Sequence, residues 1–306
     1  MPLDPQAQQI LDQLDELGLP PNYMISPEEA RTNIMSKPRP DGPEVAKVED
    51  RTIANGVFQV PVRIYNPEGS GPFPVLIWFH GGGWVIGNLE TADEVARHLT
   101  VGADCVVVSV DYRLAPEAKF PVPFEDCYAV TKWITQNPDS INADPSRIAL
   151  GGDSAGGNLA AAVSLAAKDR GLPAITFQLL VYPVTSMDFG TVSYKENADG
   201  YALTMKSMQW YWDHYLSCDA DALNPYAAPL AAKDFSGLPP ALVITAEFDP
   251  LRDEGEAYAK KLQDAGVSAT ATRYDGMIHG FFSMSAVIDK GVQAIYQAST
   301  ALKAAF

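Results

Sequence analysis

Basic residues are scarce in this sequence: 22 Lys and Arg stand against 38 Asp and Glu, a formal net charge of −16 over 306 residues. A field of that sign repels polyphosphates and anionic lipid headgroups. It argues against nucleic-acid and membrane-surface partners and favours a neutral or cationic small molecule. Cysteine is equally sparse. Cys105, Cys127 and Cys218 form an odd set without metal-like spacing, which excludes a disulfide framework and predicts reduced thiols, Cys105 and Cys127 in the core. No motif calls for a metal or any other cofactor. No uninterrupted apolar run approaches the ~18 residues of a membrane span. The first residues are acidic and broken by polar side chains, unlike a secretory signal, so the expected compartment is cytoplasmic. Internal repeats and low-complexity tracts are absent.

What is present is an ordinary globular balance, 47% hydrophobic and 20% charged residues. Short β-branched runs alternate with helical patterns, and eight strands are predicted, near 44–52, 57–65, 75–80, 105–112, 147–151, 176–182, 242–247 and 269–274. The middle ones (VLIWF, CVVVSV, IAL, FQLLVY, ALVIT) are almost wholly apolar, as a parallel strand buried on both faces requires. Helices are predicted over 91–101, 124–136, 157–170 and 255–265. This alternation predicts an α/β fold with a mostly parallel eight-stranded sheet flanked by helices. Two segments stand outside it. Residues 1–43 carry an amphipathic helix and then Ser26-Pro27-Glu28-Glu29, an N-cap serine, a proline at the first helical position and a capping-box glutamate. Residues 185–237 hold an aromatic helix over 204–216. The two together are expected to cap the C-terminal edge of a catalytic core formed by 44–184 and 238–306.

The strongest chemical signal is Gly152-Asp153-Ser154-Ala155-Gly156, set between a strand (RIALG) and a helix (GNLAAAVSLAAK). A serine raised on such a turn presents its hydroxyl above the sheet, and the glycines are needed where a side chain would collide with the neighbouring strand or helix. The bland alternative is a small-residue turn that merely contains a serine. His80-Gly81-Gly82-Gly83-Trp84 follows the strand VLIWF, and three bare glycines can aim several amides at one oxygen, as an oxyanion hole needs. A flexible loop or a phosphate turn is the alternative, and phosphate disagrees with the acidic chain and the missing lysine.

Of only four histidines, His80 belongs to the glycine loop and is expected to brace it with Gly81, while His98 and His214 lie in helical patterns. His279 follows the last strand in a loop and is the expected general base. The acid is expected between serine and histidine, just past a strand. Asp249 fits, Glu247 reads as still within the strand, and Asp253 as already in the next helix beside Arg252. The order Ser154, Asp249, His279 is that of α/β-hydrolases and predicts acyl transfer through an acyl-serine, with the amides of Gly82, Gly83 and Ala155 holding the oxyanion. Trp84, Asp153, Trp210 and Tyr211 are candidates for the substrate pocket. For Trp84 the alternative is a wedge under the glycine loop, and for the cap aromatics it is plain packing.

HGGGW at 80–84, DYRLAPE at 111–117, GDSAGGNLA at 152–160, DPLRDEG at 249–255 and IHGF at 278–281 form a set that resembles the hormone-sensitive-lipase-like esterases, bacterial family IV. The resemblance covers the whole chain. It implies the α/β-hydrolase fold with a helical cap, the triad Ser154–Asp249–His279, oxyanion amides at Gly82, Gly83 and Ala155, and carboxylesterase activity on short- to medium-chain acyl esters. It also implies no metal and, often, a homodimer, which an exposed eighth strand would permit. Asp111, Arg113 and Glu117 are expected to form a structural ion-pair network. An amidase, a deacetylase or an acyltransferase would share the same intermediate. A binding protein, as in the plant gibberellin receptors that resemble this family, is the reading from another class, and the histidine those receptors lack is intact here at 279.

Overall fold

The structure is a computed structural model describing residues 2–37, 39–172 and 175–306. Met1 and Pro38 of the expected first cap segment, and residues 173 and 174 of the first core part, lie outside the described residues. In chain order the elements are α1 (Pro5–Leu17), α2 (Pro27–Ser36), β1 (Lys47–Asn55), β2 (Phe58–Asn66), β3 (Phe73–Phe79), α3 (Leu89–Ala103), β4 (Val106–Val110), α4 (Val122–Gln136), β5 (Ala143–Asp153), α5 (Ala155–Asp169), β6 (Phe177–Val181), α6 (Val192–Glu196), α7 (Met205–Tyr215), β7 (Ala241–Phe248), α8 (Arg252–Asp264), β8 (Ala269–Ile278) and α9 (Asp289–Ala305), with short 3-10 turns between them.

The eight strands form one sheet in the order β1-β2-β4-β3-β5-β6-β7-β8. β1 and β2 pair antiparallel with each other and β2 antiparallel with β4, while all pairs from β4 to β8 are parallel. Period-two alternation sorts the side chains of the inner strands. Val75, Ile77, Phe79, Ile148 and Leu150 face a core closed by α4, α5 and α8. Leu76, Trp78, Val107, Ala149 and Leu179 face a second core closed by α3 and α9. Both faces are therefore dry, which is why these strands read as unbroken apolar runs.

Two departures from expectation have local causes. Ser26 caps α2 by accepting from the Glu29 amide at 3.1 Å, but no reciprocal bond from the Glu29 side chain forms among the described residues, so the box is half made. β8 runs on through Asp275, Gly276 and Met277 to Ile278, four residues past the expected end at 274. Gly276 takes φ +76°, its amide donates to the Glu247 carboxylate at 2.6 Å, and the register with β7 shifts there. A glycine that reads as a strand breaker instead makes a bulge.

Candidate active site

β5 stops at Asp153 and α5 starts at Ala155, leaving Ser154 alone on the turn with φ 56° and ψ −118°. That backbone is strained for any residue with a side chain. It is held by the Ser154 amide donating to the Val181 carbonyl at 2.8 Å, and by the Ser154 carbonyl accepting from the amides of Asn158 and Val184. The flanking glycines are steric necessities. A Cβ on Gly156 would stand 1.8 Å from the Phe79 carbonyl oxygen, and one on Gly152 2.5 Å from the same atom.

The strand ends bring three of the sequence candidates together. His279 is the first residue beyond β8, and its Nε2 lies 3.0 Å from Ser154 Oγ. Its Nδ1 lies 2.7 Å from Asp249 Oδ2. A carboxylate oxygen can only accept, so Nδ1 carries the proton and Nε2 is left to accept from the serine hydroxyl. Asp249 is the first residue after β7 and is fully buried. Its other oxygen accepts from the Leu251 amide at 2.9 Å. Glu247 is indeed within β7, and Asp253 is in α8, paired with Arg252 at 2.9 Å.

The glycine loop abuts this turn. The Gly81 amide donates to Asp153 Oδ1 at 2.9 Å, and Gly156 packs on the carbonyls of Phe79 and His80. His80 is buried, its ring stacked on Tyr112 at 4.3 Å, and its Nδ1 donates to the Gly81 carbonyl at 2.7 Å. Burial pushes its pKa down to about 4, so the ring is neutral. Gly82 has φ +113° and Gly83 φ +58°, conformations that favour glycine. The amides of Gly82, Gly83 and Ala155 have no acceptor among the described residues. Burial pushes the Asp153 carboxyl up to about 6, against the hydrogen bond from the Gly81 amide, which favours the anion.

The pocket candidates separate. Trp84 is fully buried and stacked on Tyr215 of α7, ring centroids 4.1 Å apart and planes 3° off parallel. It packs the glycine loop against α7. Tyr211 is 6% exposed and touches Gly83. Trp210 packs edge-on against both Tyr211, at 5.1 Å, and His214, at 4.4 Å. A cavity of about 400 Å³ lies between the N-terminal segment and the segment that follows β6, lined by Leu11, Leu14, Asn22, Ile86, Leu203 and Tyr211. It meets the glycine loop at Ile86, whose carbonyl touches Gly82, and at Tyr211. Two larger cavities, of about 630 and 680 Å³, lie beside Asp111 and beneath Phe177 and Tyr296, and Ser154, Asp249 and His279 line none of the three cavities.

Of the expected structural ion-pair network, Arg113 and Glu117 do form ion pairs, though not with each other. Arg113 instead grips the buried Asp126 of α4, Glu117 pairs with Arg31 of α2, and Asp111, in neither pair, is pushed up to about 6 by burial. Arg113 and Glu117 thus reach two different neighbours rather than each other. Several contributors carried no signal in the sequence. The Tyr182 ring lies 4.5 Å from that of His279, and the Asn197 side-chain amide donates to the carbonyls of Glu247 and Asp249. Only the Leu251 amide was foreseeable, since an Asp two residues ahead of an amide commonly makes an Asx turn.

The family model of the alpha/beta hydrolase fold matches residues 76–283. The carboxylesterase NlhH of Mycobacterium tuberculosis is 43% identical over 265 residues, 85% of this chain and 83% of that protein. An ester hydrolase from the metagenome of Lake Arreo, solved with a bipyridine phosphonate derivative, superposes with a TM-score of 0.95 at 42% identity, covering 99% of this chain and 98% of that one. A thermostable esterase from Pseudomonas putida superposes at 0.94 with 40% identity, covering 99% and 97%.

Proposed function

The chain belongs to the α/β-hydrolase fold family, in its hormone-sensitive-lipase-like branch, and is a carboxylic-ester hydrolase; from that premise we propose that it cleaves short- to medium-chain acyl esters through Ser154, His279 and Asp249. The observation that carries the proposal is the unbroken hydrogen-bonded path from Ser154 Oγ through His279 to Asp249, at 3.0 and 2.7 Å. His279 Nε2 accepts the serine proton as Oγ attacks the ester carbonyl. Asp249 stabilises the imidazolium and holds its tautomer. The amides of Gly82, Gly83 and Ala155 donate to the oxyanion, each worth ~100- to 1,000-fold in rate. The imidazolium then protonates the leaving alkoxide, and a water activated by the same Nε2 hydrolyses the acyl-serine.

In this reading the ester reaches the cavity of about 400 Å³ bordered by Ile86 and Tyr211, a volume near the lower end of ligand pockets. Residues 1–43 and 185–237 act in this reading as one cap over a core of 44–184 and 238–306. Among the described residues no helix is long and apolar enough to cross a membrane. The test is a series of p-nitrophenyl esters from acetate to palmitate with wild type and Ser154→Ala. Activity should decline beyond octanoate and fall by ~10,000-fold in the variant. Equal activity in both proteins, or a preference for palmitate, would contradict the proposal.

A further inference from the structure

Gly83 is held from outside the core, by the cap. A Cβ at this residue would stand 2.2 Å from Cδ1 of Tyr211, 2.3 Å from Cγ and 2.6 Å from Cε1. The ring of Tyr211 therefore lies directly on the Gly83 backbone, which is the steric reason for the third glycine of the run. One α-helical turn further along α7, Tyr215 stacks on Trp84, and Trp212 meets the same indole at 4.7 Å. Residues 211, 212 and 215 fall on one face of a 3.6-residue helix, so a single surface of α7 covers the two consecutive residues Gly83 and Trp84. The loop's own backbone supplies less. The Val85 and Ile86 amides close a turn on the Gly82 carbonyl, but the Gly83 amide has no acceptor among the described residues. The two bonds on the Gly82 carbonyl orient the peptide plane that carries the Gly83 amide from one side, and the Tyr211 ring backs Gly83 from the other.

Tyr211 is itself anchored at its far end. Its hydroxyl accepts from Asn22 Nδ2 at 2.7 Å, across 189 residues of sequence. Asn22 opens a 3-10 turn, Asn22–Met24, immediately after Pro20 and Pro21, whose fixed φ angles stiffen the approach. The ring is thus pinned between a rigid N-terminal turn and the glycine loop, and buried along its length.

We infer that Tyr211, anchored by Asn22, is a positioning residue that backs Gly83 and, together with the turn on the Gly82 carbonyl, keeps its amide aimed at the oxyanion. The inference rests on the reading of Gly83 as an oxyanion donor. Its consequence is kinetic. Loss of the anchor leaves the ring in place but free to rock, so the amide is misaimed in the transition state while substrate still binds. A residue that only walled the acyl cavity would change KM and chain-length preference instead.

The test compares wild type, Tyr211→Phe, Asn22→Ala and the double variant on p-nitrophenyl acetate and hexanoate, with the melting temperature of each protein. Wild-type turnover that is abolished by Ser154→Ala establishes the parent reading first; if that fails, both readings fall. Given turnover, each single variant should lose about fivefold in kcat on both esters, the rate equivalent of one neutral hydrogen bond, with KM within about twofold. The double variant should lose no more than either single, since both changes cut one bond. An unchanged kcat, a loss confined to hexanoate, or multiplying losses in the double variant would overturn the inference while leaving the esterase reading intact. Tyr211→Phe is the smallest available change, and Asn22→Ala probes the same bond from the opposite partner should the phenylalanine repack.

Discussion

Replacing Gly82 by alanine should abolish most of the activity while leaving a folded protein, and the size of both effects can be worked out. At φ +113° the residue occupies backbone territory that side chains rarely adopt, and the added Cβ would stand 2.1 Å from the Ile86 carbonyl oxygen and 2.7 Å from its carbon. A relaxed C···O contact is about 3.3 Å or more, so the loop must move by roughly 1 Å. A shift of that size at a positioned group costs about a hundredfold, and outright loss of one oxyanion donor ~100- to 1,000-fold in kcat. Backbone strain adds about 1–3 kcal/mol of instability, or roughly 2–10 °C in melting temperature for a domain of this size. The assay is kcat and KM on p-nitrophenyl butyrate beside a melting curve. Gly266→Ala is the control. It has φ +79° with no atom within 4 Å of the added carbon, so it should lower the melting temperature without touching kcat. A Gly82→Ala protein with the expected melting loss but kcat within about threefold of wild type would refute the assignment of that amide to the oxyanion.

Two further outcomes are expected. Burial holds the Asp153 carboxyl at about 6 in the fold, above its unfolded value of roughly 4, so the native state retains the proton more strongly and pays for the charge as pH rises through that window. Asp153→Asn should therefore raise the melting temperature above about pH 7, by no more than about 3 kcal/mol of stability, and have no such effect near pH 4. Scanning calorimetry at both pH values checks this, and a difference independent of pH would contradict it. Arg113→Ala should destabilise without inactivating, because it strips the buried Asp126 of a two-point ion pair at 2.7 Å and leaves only the Asn55 side chain and the residue 113 amide as donors. A loss of about 3 kcal/mol is expected by chemical denaturation, with kcat within about twofold, and unchanged stability would show the pair to be dispensable.

The parts of the fold that could be read in the sequence are those enforced by neighbours along the chain or by the two faces of a sheet. Val75 to Phe79 must be apolar throughout because both sides of β3 are covered, and Gly152 and Gly156 must be glycine because Phe79 passes against them. Where a side chain chooses among distant partners, local pattern is silent. Trp84 could have faced the substrate; it is drawn against α7 by Trp212 and Tyr215, which lie far along the chain. The charges of the 111–117 segment read as structural ion pairs, but their partners, Asp126 and Arg31, are chosen by how α4 and α2 pack. Gly276 hid the true end of β8, because a glycine bulge and a glycine breaker look alike until the Glu247 contact is formed. The same limit applies to Gly83, where the Tyr211 ring adds to what the loop's own backbone requires.

The most direct test of the account is to treat the protein with an organophosphonate ester probe and map the adduct by peptide mass spectrometry. The account predicts a single stoichiometric adduct on Ser154, loss of esterase activity in step with labelling, and no adduct in Ser154→Ala or when His279 is replaced by alanine. Hydrolysis of esters by a protein that labels elsewhere, or that stays active with Ser154 fully modified, would contradict it.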